Sequence, residues 1–220
     1  MGKIMIKQSL QIGEDTVVYC ESAGRGYPVV LLHGNGGDAL TFRPQLEGEF
    51  GERFHVIAID LPGHGGESVA HDLQHKIAPQ QHAELVAQTA EKLNVPHAVF
   101  YGSSYGGTVA IYTSTQLPQA AGFAFCGTLP IFKEGNFFRL EKRAIQMISA
   151  MTQPLAVFQG ENEPFVNLAQ LEALEMPTLW RGAVQIIAGA GHVPHQEKSA
   201  IFNQLLTQYI EDILTENNNG

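Results

Sequence analysis

Short apolar runs alternate with longer amphipathic segments along most of this chain, and this alternation constrains the fold more than any other feature. Continuously apolar runs are typical of strands that are covered on both faces, and they occur at residues 29–32, 55–59, 98–101, 122–126, 155–158 and 184–188. Helical periodicity appears at residues 78–93, 105–116 and 199–214. The pattern predicts a mostly parallel sheet of about eight strands with helices on both faces.

Two further observations shape this prediction. Residues 4–12 and 16–20 are expected to open the sheet as an antiparallel pair. The crossover between Cys126 and Leu155 contains one amphipathic helix, with apolar residues at helical spacing: Phe137, Leu140, Ala144, Ile145, Ile148 and Met151. Because a parallel crossover already needs about a dozen residues, no room is left for an additional domain. We therefore expect a single domain spanning residues 1–220.

Composition limits the partners and the compartment. The formal net charge is −9 and lysine and arginine form no cluster, so neither nucleic acid nor an anionic membrane surface is an expected partner. No stretch reaches the roughly 20 apolar residues of a membrane span, and residues 1–7 lack the apolar core of a signal peptide. Cys20 and Cys126 lie in predicted strands and are expected to be buried free thiols in a reducing cytoplasm, with nothing around them that suggests a metal site.

A Gly-x-Ser-x-Gly sequence, formed by Gly102, Ser104 and Gly106, stands where a predicted strand ends and a predicted helix begins. A strand that turns at once into a helix strains the backbone at the serine, and glycines on either side remove Cβ atoms that would collide. The turn raises the hydroxyl above the sheet edge and points the helix N-terminus at a ligand. Ser104 is therefore the candidate nucleophile, although the pattern alone also occurs in ordinary turns.

A glycine-rich loop at residues 33–37, the oxyanion loop, follows the strand at residues 29–32. Its glycines let the backbone approach a substrate closely, so His33 and Gly34 are predicted to line the substrate site. The N–H group of Asn35, paired with that of Tyr105, would form an oxyanion hole, in which one donor is worth roughly 3–4 kcal/mol of barrier. The alternative interpretation is an ordinary glycine-rich turn.

A general base and an acid would activate the serine, and each has candidates at a strand end. His192 lies between small residues after the last predicted strand, with His195 as the alternative base. Glu163 follows the preceding strand and would accept the Nδ1–H of the histidine, with Glu161 and Asp60 as alternative acids. We favour His192 because its flanking glycines let it stand in the cleft, and Glu163 because of its place after the strand.

The order serine, acid, histidine resembles that of the α/β-hydrolase fold family. Four stretches carry the resemblance. The family's oxyanion loop is matched by His33-Gly34-Asn35-Gly36-Gly37, and its turn after the fourth strand is matched by Asp60-Leu61-Pro62-Gly63-His64-Gly65. Its nucleophile elbow is matched by Gly102-Ser103-Ser104-Tyr105-Gly106, and its histidine loop is matched by Gly189-Ala190-Gly191-His192. The chain departs from the family in having glutamate where aspartate is usual and one extra residue before Ser68. It also lacks space for the helical cap that many members insert in the crossover.

The resemblance implies a serine hydrolase that cleaves carboxylic esters or related acyl compounds through an acyl-serine, without a cofactor or a metal. Thioesterase, lactonase and carbon–carbon bond hydrolase activities stay open on the same triad, as does a non-catalytic ligand-binding module. Without a cap, we expect a shallow cleft whose rim includes Leu129 and Phe132 of the crossover. The expected partner is a small-molecule ester or acyl substrate, and the expected assembly is a monomer or a homodimer.

Overall fold

The computed structural model describes residues 5–72, 78–128 and 142–218. Eight strands form one sheet in the order β1-β2-β4-β3-β5-β6-β7-β8. The pairs β1·β2 and β2·β4 are antiparallel, and the other five pairs are parallel. The predicted mostly parallel sheet is therefore confirmed, with these bounds: β1 Ile6–Ile12, β2 Asp15–Glu21, β3 Pro28–Leu32, β4 His55–Ile59, β5 Val99–Ser103, β6 Gly122–Cys126, β7 Leu155–Gly160 and β8 Gln185–Ile187.

Helices cover both faces of this sheet, as predicted. Side chains of α3, α4 and α5 share the apolar core on one face, and side chains of α1, α2 and α8 share the core on the other. All residues of the central strands β3, β5 and β6 are buried, because each strand is covered on both sides. The helices are α1 Arg43–Glu47, α2 Glu49–Arg53, α3 Pro79–Lys92, α4 Tyr105–Ser114, α5 Lys142–Ser149, α6 Leu168–Glu172, α7 Pro194–Glu197 and α8 Ser199–Asn218.

Short helices are the main difference from the sequence prediction. A 3₁₀ turn at Ala39–Phe42 and the helices α1 and α2 fill the connection between β3 and β4, for which the sequence predicted no element. These elements are only four to five residues long, and helical periodicity becomes visible only over about 11 residues or more. Strand β7 extends two residues past its predicted end, to Gly160, because Gly160 pairs with Ile187 of β8.

The crossover between β6 and β7 contains α5 in its described part. Ala144 and Ile148 of α5 are buried in the core, as the predicted apolar face requires, whereas Phe137 and Leu140 lie outside the described residues. Both cysteines are buried free thiols, which confirms that prediction, and burial raises the pKa of each thiol. Among the described helices, none has the length and apolar character needed to span a membrane.

Candidate active site

Ser104 occupies the sharp turn between β5 and α4, with φ 52° and ψ −118°. Residues that carry a Cβ atom rarely adopt this backbone conformation. A Cβ on Gly102 would overlap the carbonyl group of Gly106, and a Cβ on Gly106 would overlap the carbonyl oxygens of Leu32 and His33. The glycine spacing in the sequence is therefore a steric requirement of this turn.

Hydrogen bonds hold the strained turn against the end of β6. The Ser104 N–H donates to the Cys126 oxygen at 2.8 Å, and the Thr128 hydroxyl donates to the Ser104 oxygen at 2.9 Å. Helix α4 begins at Tyr105, and the first N–H groups of an α-helix take no part in its internal hydrogen bonds. The N–H of Tyr105 thus emerges at the helix N-terminus directly beside the serine.

The oxyanion loop borders the serine from the side of β3. A Cβ on Gly34 would lie 3.2 Å from Ser104 Cβ and 3.8 Å from Ser104 Oγ, so the Gly34 backbone faces the hydroxyl. The Gly37 N–H donates to the Gly34 oxygen at 3.1 Å, which closes a turn with Asn35 and Gly36 at its centre. Gly36 has φ +72°, as a type II turn requires at its third residue. The loop therefore brings Gly34 next to the candidate nucleophile, with Asn35 as the following residue of the turn.

The His33 side chain holds this loop in place. It is fully buried, its Nε2 accepts the Leu61 N–H at 2.8 Å, and its Nδ1 donates to the Gly34 oxygen at 2.8 Å. Burial lowers the pKa of His33, which keeps the ring neutral and able to accept. The prediction that His33 contacts substrate is not supported by this burial, because the ring instead links the oxyanion loop to the turn after β4.

His192 and Glu163 form a hydrogen-bonded pair on the loops that follow β8 and β7. His192 Nδ1 lies 2.7 Å from Glu163 Oε2, and the Glu163 side chain is only 1% exposed. The other carboxylate oxygen accepts the Phe165 N–H at 2.8 Å, which fixes the orientation of the carboxylate. Since Nδ1 of His192 faces the carboxylate, Nε2 is the nitrogen left for a nucleophile.

The candidate base and nucleophile both lie beside the end of β6. The Ser104 N–H is hydrogen-bonded to Cys126, the last residue of β6, and the His192 ring lies against the next residue, Gly127. A Cβ on Gly127 would be 2.9 Å from both Cε1 and Nδ1 of His192, and Gly127 has φ +58°. Within residues 5–72, 78–128 and 142–218, the structure shows no hydrogen bond to the Ser104 hydroxyl; catalytic hydrogen bonds often form fully only around a bound substrate.

The alternative acids and base are engaged elsewhere. Exposed Glu161 accepts the Gly189 N–H at 2.8 Å, and buried Asp60 accepts two backbone N–H groups of neighbouring loops at 2.6 and 2.9 Å. His195 is buried among aromatic rings, and burial lowers its pKa to about 3. The geometry therefore supports the acid and the base that were preferred from the sequence.

A side chain that the sequence analysis missed clamps the histidine loop. Glu197 accepts the N–H of Gly191 at 2.6 Å and the N–H of Val193 at 2.9 Å, so one carboxylate holds both neighbours of His192. A Cβ on Gly191 would lie 3.1 Å from Glu197 Oε2, so the carboxylate packs closely against the backbone of Gly191. No signal in the sequence separates Glu197 from other glutamates at exposed helix positions.

The rim of the site is only partly described. Leu129 and Phe132, which were predicted to form it, lie outside the described residues. Phe165 was not predicted; it is 43% exposed and its ring lies edge-on to His192 with 4.8 Å between the centroids. In the parts of the chain that the structure describes, no group of three or more histidine, cysteine or carboxylate side chains is arranged to hold a metal ion.

Sequence comparisons identify relatives of this chain. A sequence profile of the alpha/beta hydrolase family matches residues 29–156. A pimeloyl-[acyl-carrier protein] methyl ester esterase of Xanthomonas oryzae is 32% identical over 70% of this chain, and an (E)-2-((N-methylformamido)methylene)succinate hydrolase of Acinetobacter baylyi is 31% identical over 52% of it. The aligned regions span 57% and 42% of these two proteins, so the chain matches about half the length of these curated relatives.

Solved structures extend the likeness over nearly the whole chain. The N-acyl homoserine lactonase AidH, complexed with N-butanoyl homoserine, superposes with a TM-score of 0.87 at 27% identity, covering 94% of this chain and 97% of that one. A membrane phospholipase A superposes with a TM-score of 0.81 at 18% identity, covering 95% and 86% of the two chains, which shows the shared fold alone. The profile match and the shared fold agree: this chain belongs to the α/β hydrolase family.

Proposed function

We propose that this protein is a serine hydrolase that cleaves carboxylic esters through an acyl-serine intermediate, with Ser104 as nucleophile, His192 as general base and Glu163 as the acid that orients it. The observation that carries the proposal is the 2.7 Å hydrogen bond between His192 Nδ1 and buried Glu163 Oε2, with the His192 ring beside the end of β6, to which the strained serine is also hydrogen-bonded. A histidine oriented in this way presents Nε2 as a base, and the strained turn presents a hydroxyl to it.

The first half of the reaction transfers the acyl group to the serine. Ser104 Oγ attacks the ester carbonyl carbon while its proton passes to His192 Nε2. The carbonyl oxygen becomes an oxyanion between the N–H groups of Asn35 and Tyr105. When the intermediate collapses, the bond to the alkoxy oxygen breaks, and His192 gives that oxygen the proton, so the alcohol leaves and an acyl-serine remains.

The second half uses water in the place of the serine hydroxyl. His192 Nε2 takes a proton from the water, whose oxygen attacks the acyl carbon, and the same two N–H groups stabilise the second oxyanion. Collapse of this intermediate breaks the bond to Ser104 Oγ, which regains the proton, and releases the carboxylic acid. Throughout both halves the buried Glu163 carboxylate holds the Nδ1–H tautomer and stabilises the imidazolium that forms.

The names of the relatives support an ester as the substrate. One relative is a methyl ester esterase and a structural neighbour is a lactonase; a lactone is a cyclic carboxylic ester, so both names describe cleavage of the same bond. The lactonase likeness, at 27% identity over 94% of this chain, favours a lactone as a second candidate substrate. In that case the leaving alcohol would stay attached to the acyl product.

A fluorophosphonate probe and an ester panel test the proposal. The wild type should be labelled covalently and should hydrolyse p-nitrophenyl acetate, while Ser104→Ala should do neither yet unfold at a similar temperature. The panel should then compare p-nitrophenyl esters of increasing length with a methyl ester, an N-acyl homoserine lactone and a thioester. A wild type that is neither labelled nor active on any ester would contradict the proposal and favour the alternative hypothesis of a ligand-binding module.

A further inference from the structure

We infer that His64, acting together with His33 and His82, positions both N–H donors of the oxyanion hole, which makes His64 a positioning residue for the reaction. The inference rests on the proposed function, because it concerns the oxyanion hole of that reaction. It is carried by a network of hydrogen bonds that joins three imidazole rings to the oxyanion loop and to Tyr105.

The first donor, Asn35, is fixed on both sides by imidazoles. The Gly36 N–H donates to His64 Nδ1 at 3.0 Å, and His33 Nδ1 donates to the Gly34 oxygen at 2.8 Å. His64 therefore anchors the residue after Asn35, and His33 anchors the residue before it. Because Gly34 is hydrogen-bonded to His33 and Gly36 is hydrogen-bonded to His64, the backbone on both sides of Asn35 is fixed. The direction of the Asn35 N–H is therefore fixed as well.

The turn that carries His64 is itself tied to the oxyanion loop. The Gly65 N–H donates to the Gly37 oxygen at 2.9 Å, and a Cβ on Gly65 would approach the Gly36 oxygen to 2.8 Å. The Leu61 N–H at the start of the same turn donates to His33 Nε2. The turn after β4 is thus packed against the whole length of the loop, with His64 as its contact to the loop's centre.

The second donor, Tyr105, is held through its side chain. Its hydroxyl lies 2.8 Å from His82 Nδ1, and His82 Nε2 lies 2.9 Å from the Pro62 oxygen in the turn that carries His64. The Tyr105 ring also lies against the His64 ring, with 5.0 Å between the centroids. Because these contacts fix the Tyr105 side chain, they also restrict the backbone of Tyr105. The same network of histidines therefore positions both N–H donors.

The hydrogen bonds dictate one neutral tautomer for each ring. A carbonyl can only accept and a backbone N–H can only donate, so His33 carries its proton on Nδ1, whereas His64 and His82 carry theirs on Nε2. Burial lowers the pKa of all three rings, and the neighbouring His33 and His82 lower the pKa of His64 further, to about 4. The Tyr105 hydroxyl then donates to the free Nδ1 of His82.

Loss of His64 should therefore affect the transition state more than substrate binding. The oxyanion exists only after attack, so a misdirected N–H donor lowers kcat and leaves KM largely unchanged. Removal of a whole donor typically costs about 10²–10³-fold in kcat. Because His64→Ala would loosen a donor without removing it, we expect a loss of about tenfold or more.

The test compares three variants with p-nitrophenyl acetate and with an aryl trifluoromethyl ketone, whose serine adduct carries an oxyanion. His64→Ala should lower kcat about tenfold with KM within about twofold, and should weaken ketone inhibition by the same factor as kcat/KM. His64→Asn should recover most of the loss, because its amide oxygen can lie near the position of Nδ1. His71→Ala, at an exposed histidine elsewhere, should leave all three constants unchanged.

Two results would overturn the inference and leave the proposed function intact. One is an active His64→Ala enzyme with unchanged kcat and unchanged ketone inhibition. The other is a His64→Ala enzyme in which only KM changes. If His64→Ala does not fold, imidazole ¹⁵N spectra of the wild type decide, because a His64 ring with its proton on Nδ1 cannot accept the Gly36 N–H. A wild type that does not react with fluorophosphonate refutes the proposed function itself, and the inference with it.

Discussion

Replacement of Glu163 by glutamine is the sharpest test of the proposed triad, because the structure dictates which hydrogen bonds an amide can keep. Both carboxylate oxygens are acceptors: Oε1 for the Phe165 N–H at 2.8 Å and Oε2 for His192 Nδ1 at 2.7 Å. An amide offers only one oxygen. If that oxygen accepts the Phe165 N–H, the amide NH₂ faces His192 and selects the tautomer with its proton on Nε2, which cannot take the proton of Ser104.

The opposite orientation keeps the productive tautomer but brings the NH₂ group against the Phe165 N–H. A buried donor without an acceptor costs about 1–3 kcal/mol, which reduces the productive orientation by about 5- to 150-fold. The variant also loses the negative charge that stabilises the imidazolium, and the equivalent change in a Ser-His-Asp triad costs about 10⁴ in kcat. We therefore expect Glu163→Gln to lower kcat by about 10² to 10⁴.

The assay is the steady-state hydrolysis of p-nitrophenyl acetate by purified protein, with thermal unfolding as a check on the fold. Glu161→Gln is the matched control, because Glu161 lies two residues away and its amide oxygen can still accept the Gly189 N–H. The control should keep kcat within about twofold. The assignment of the acid is wrong if Glu163→Gln keeps more than a tenth of the wild-type kcat, or if Glu161→Gln loses as much.

Three further predictions concern stability, measured as the free energy of unfolding in urea. Ser104→Gly should be about 1 kcal/mol more stable than Ser104→Ala, because φ 52° strains only a residue with a Cβ; equal values would argue against the strain. Gly106→Ala should lower the free energy of unfolding by about 3 kcal/mol or more, because its Cβ would overlap the Leu32 oxygen. Gly13→Ala is the control: Gly13 has φ +59° but open space around it, so the loss should be only about 1 kcal/mol. Equal losses in the two variants would contradict the steric argument. Burial lowers the pKa of His195 from 6.5 to about 3 on folding, so the unfolded chain binds a proton below about pH 6.5 that the folded protein does not bind. Between about pH 7 and about pH 4.5 the wild type should therefore lose about 2–3 kcal/mol of unfolding free energy that His195→Phe retains. Equal acid sensitivity of the two proteins would refute the buried neutral ring.

The fold was largely predictable because strand burial leaves a direct mark on the sequence. Strands β4 and β6 were predicted with the bounds that the structure shows, since a strand covered on both faces is apolar at every position. The short helices α1 and α2 were not predicted, because five residues carry no measurable period. Their Leu46 and Phe50 are buried in the core nonetheless, so tertiary packing stabilises segments that local propensity does not identify.

Features whose physical causes are local could be recognised from the sequence alone. The turn around Ser104 is recognisable because two of its constraints arise within five consecutive residues: the positive φ of Ser104, and the overlap that a Cβ on Gly102 would make with the carbonyl group of Gly106. The need for glycine at Gly106 itself comes from the Leu32 and His33 oxygens of a distant segment. The positive φ of Gly36 in the oxyanion loop is local in the same way. For such features a short stretch of sequence contains the whole physical requirement.

The pairing of groups that are distant in the sequence is set by the folded chain and could not be predicted from short stretches of it. Glu161 and Glu163 share one loop and one chemistry, yet one carboxylate is exposed and bonded to Gly189 while the other is buried against His192. The imidazoles that fix the oxyanion loop come from separate segments of the chain. The residues around His64 in the sequence give no indication that it contacts Gly36. Which carboxylate meets the base and which rings meet the loop are set by the sheet order and the packing of the loops, and these depend on the whole chain at once.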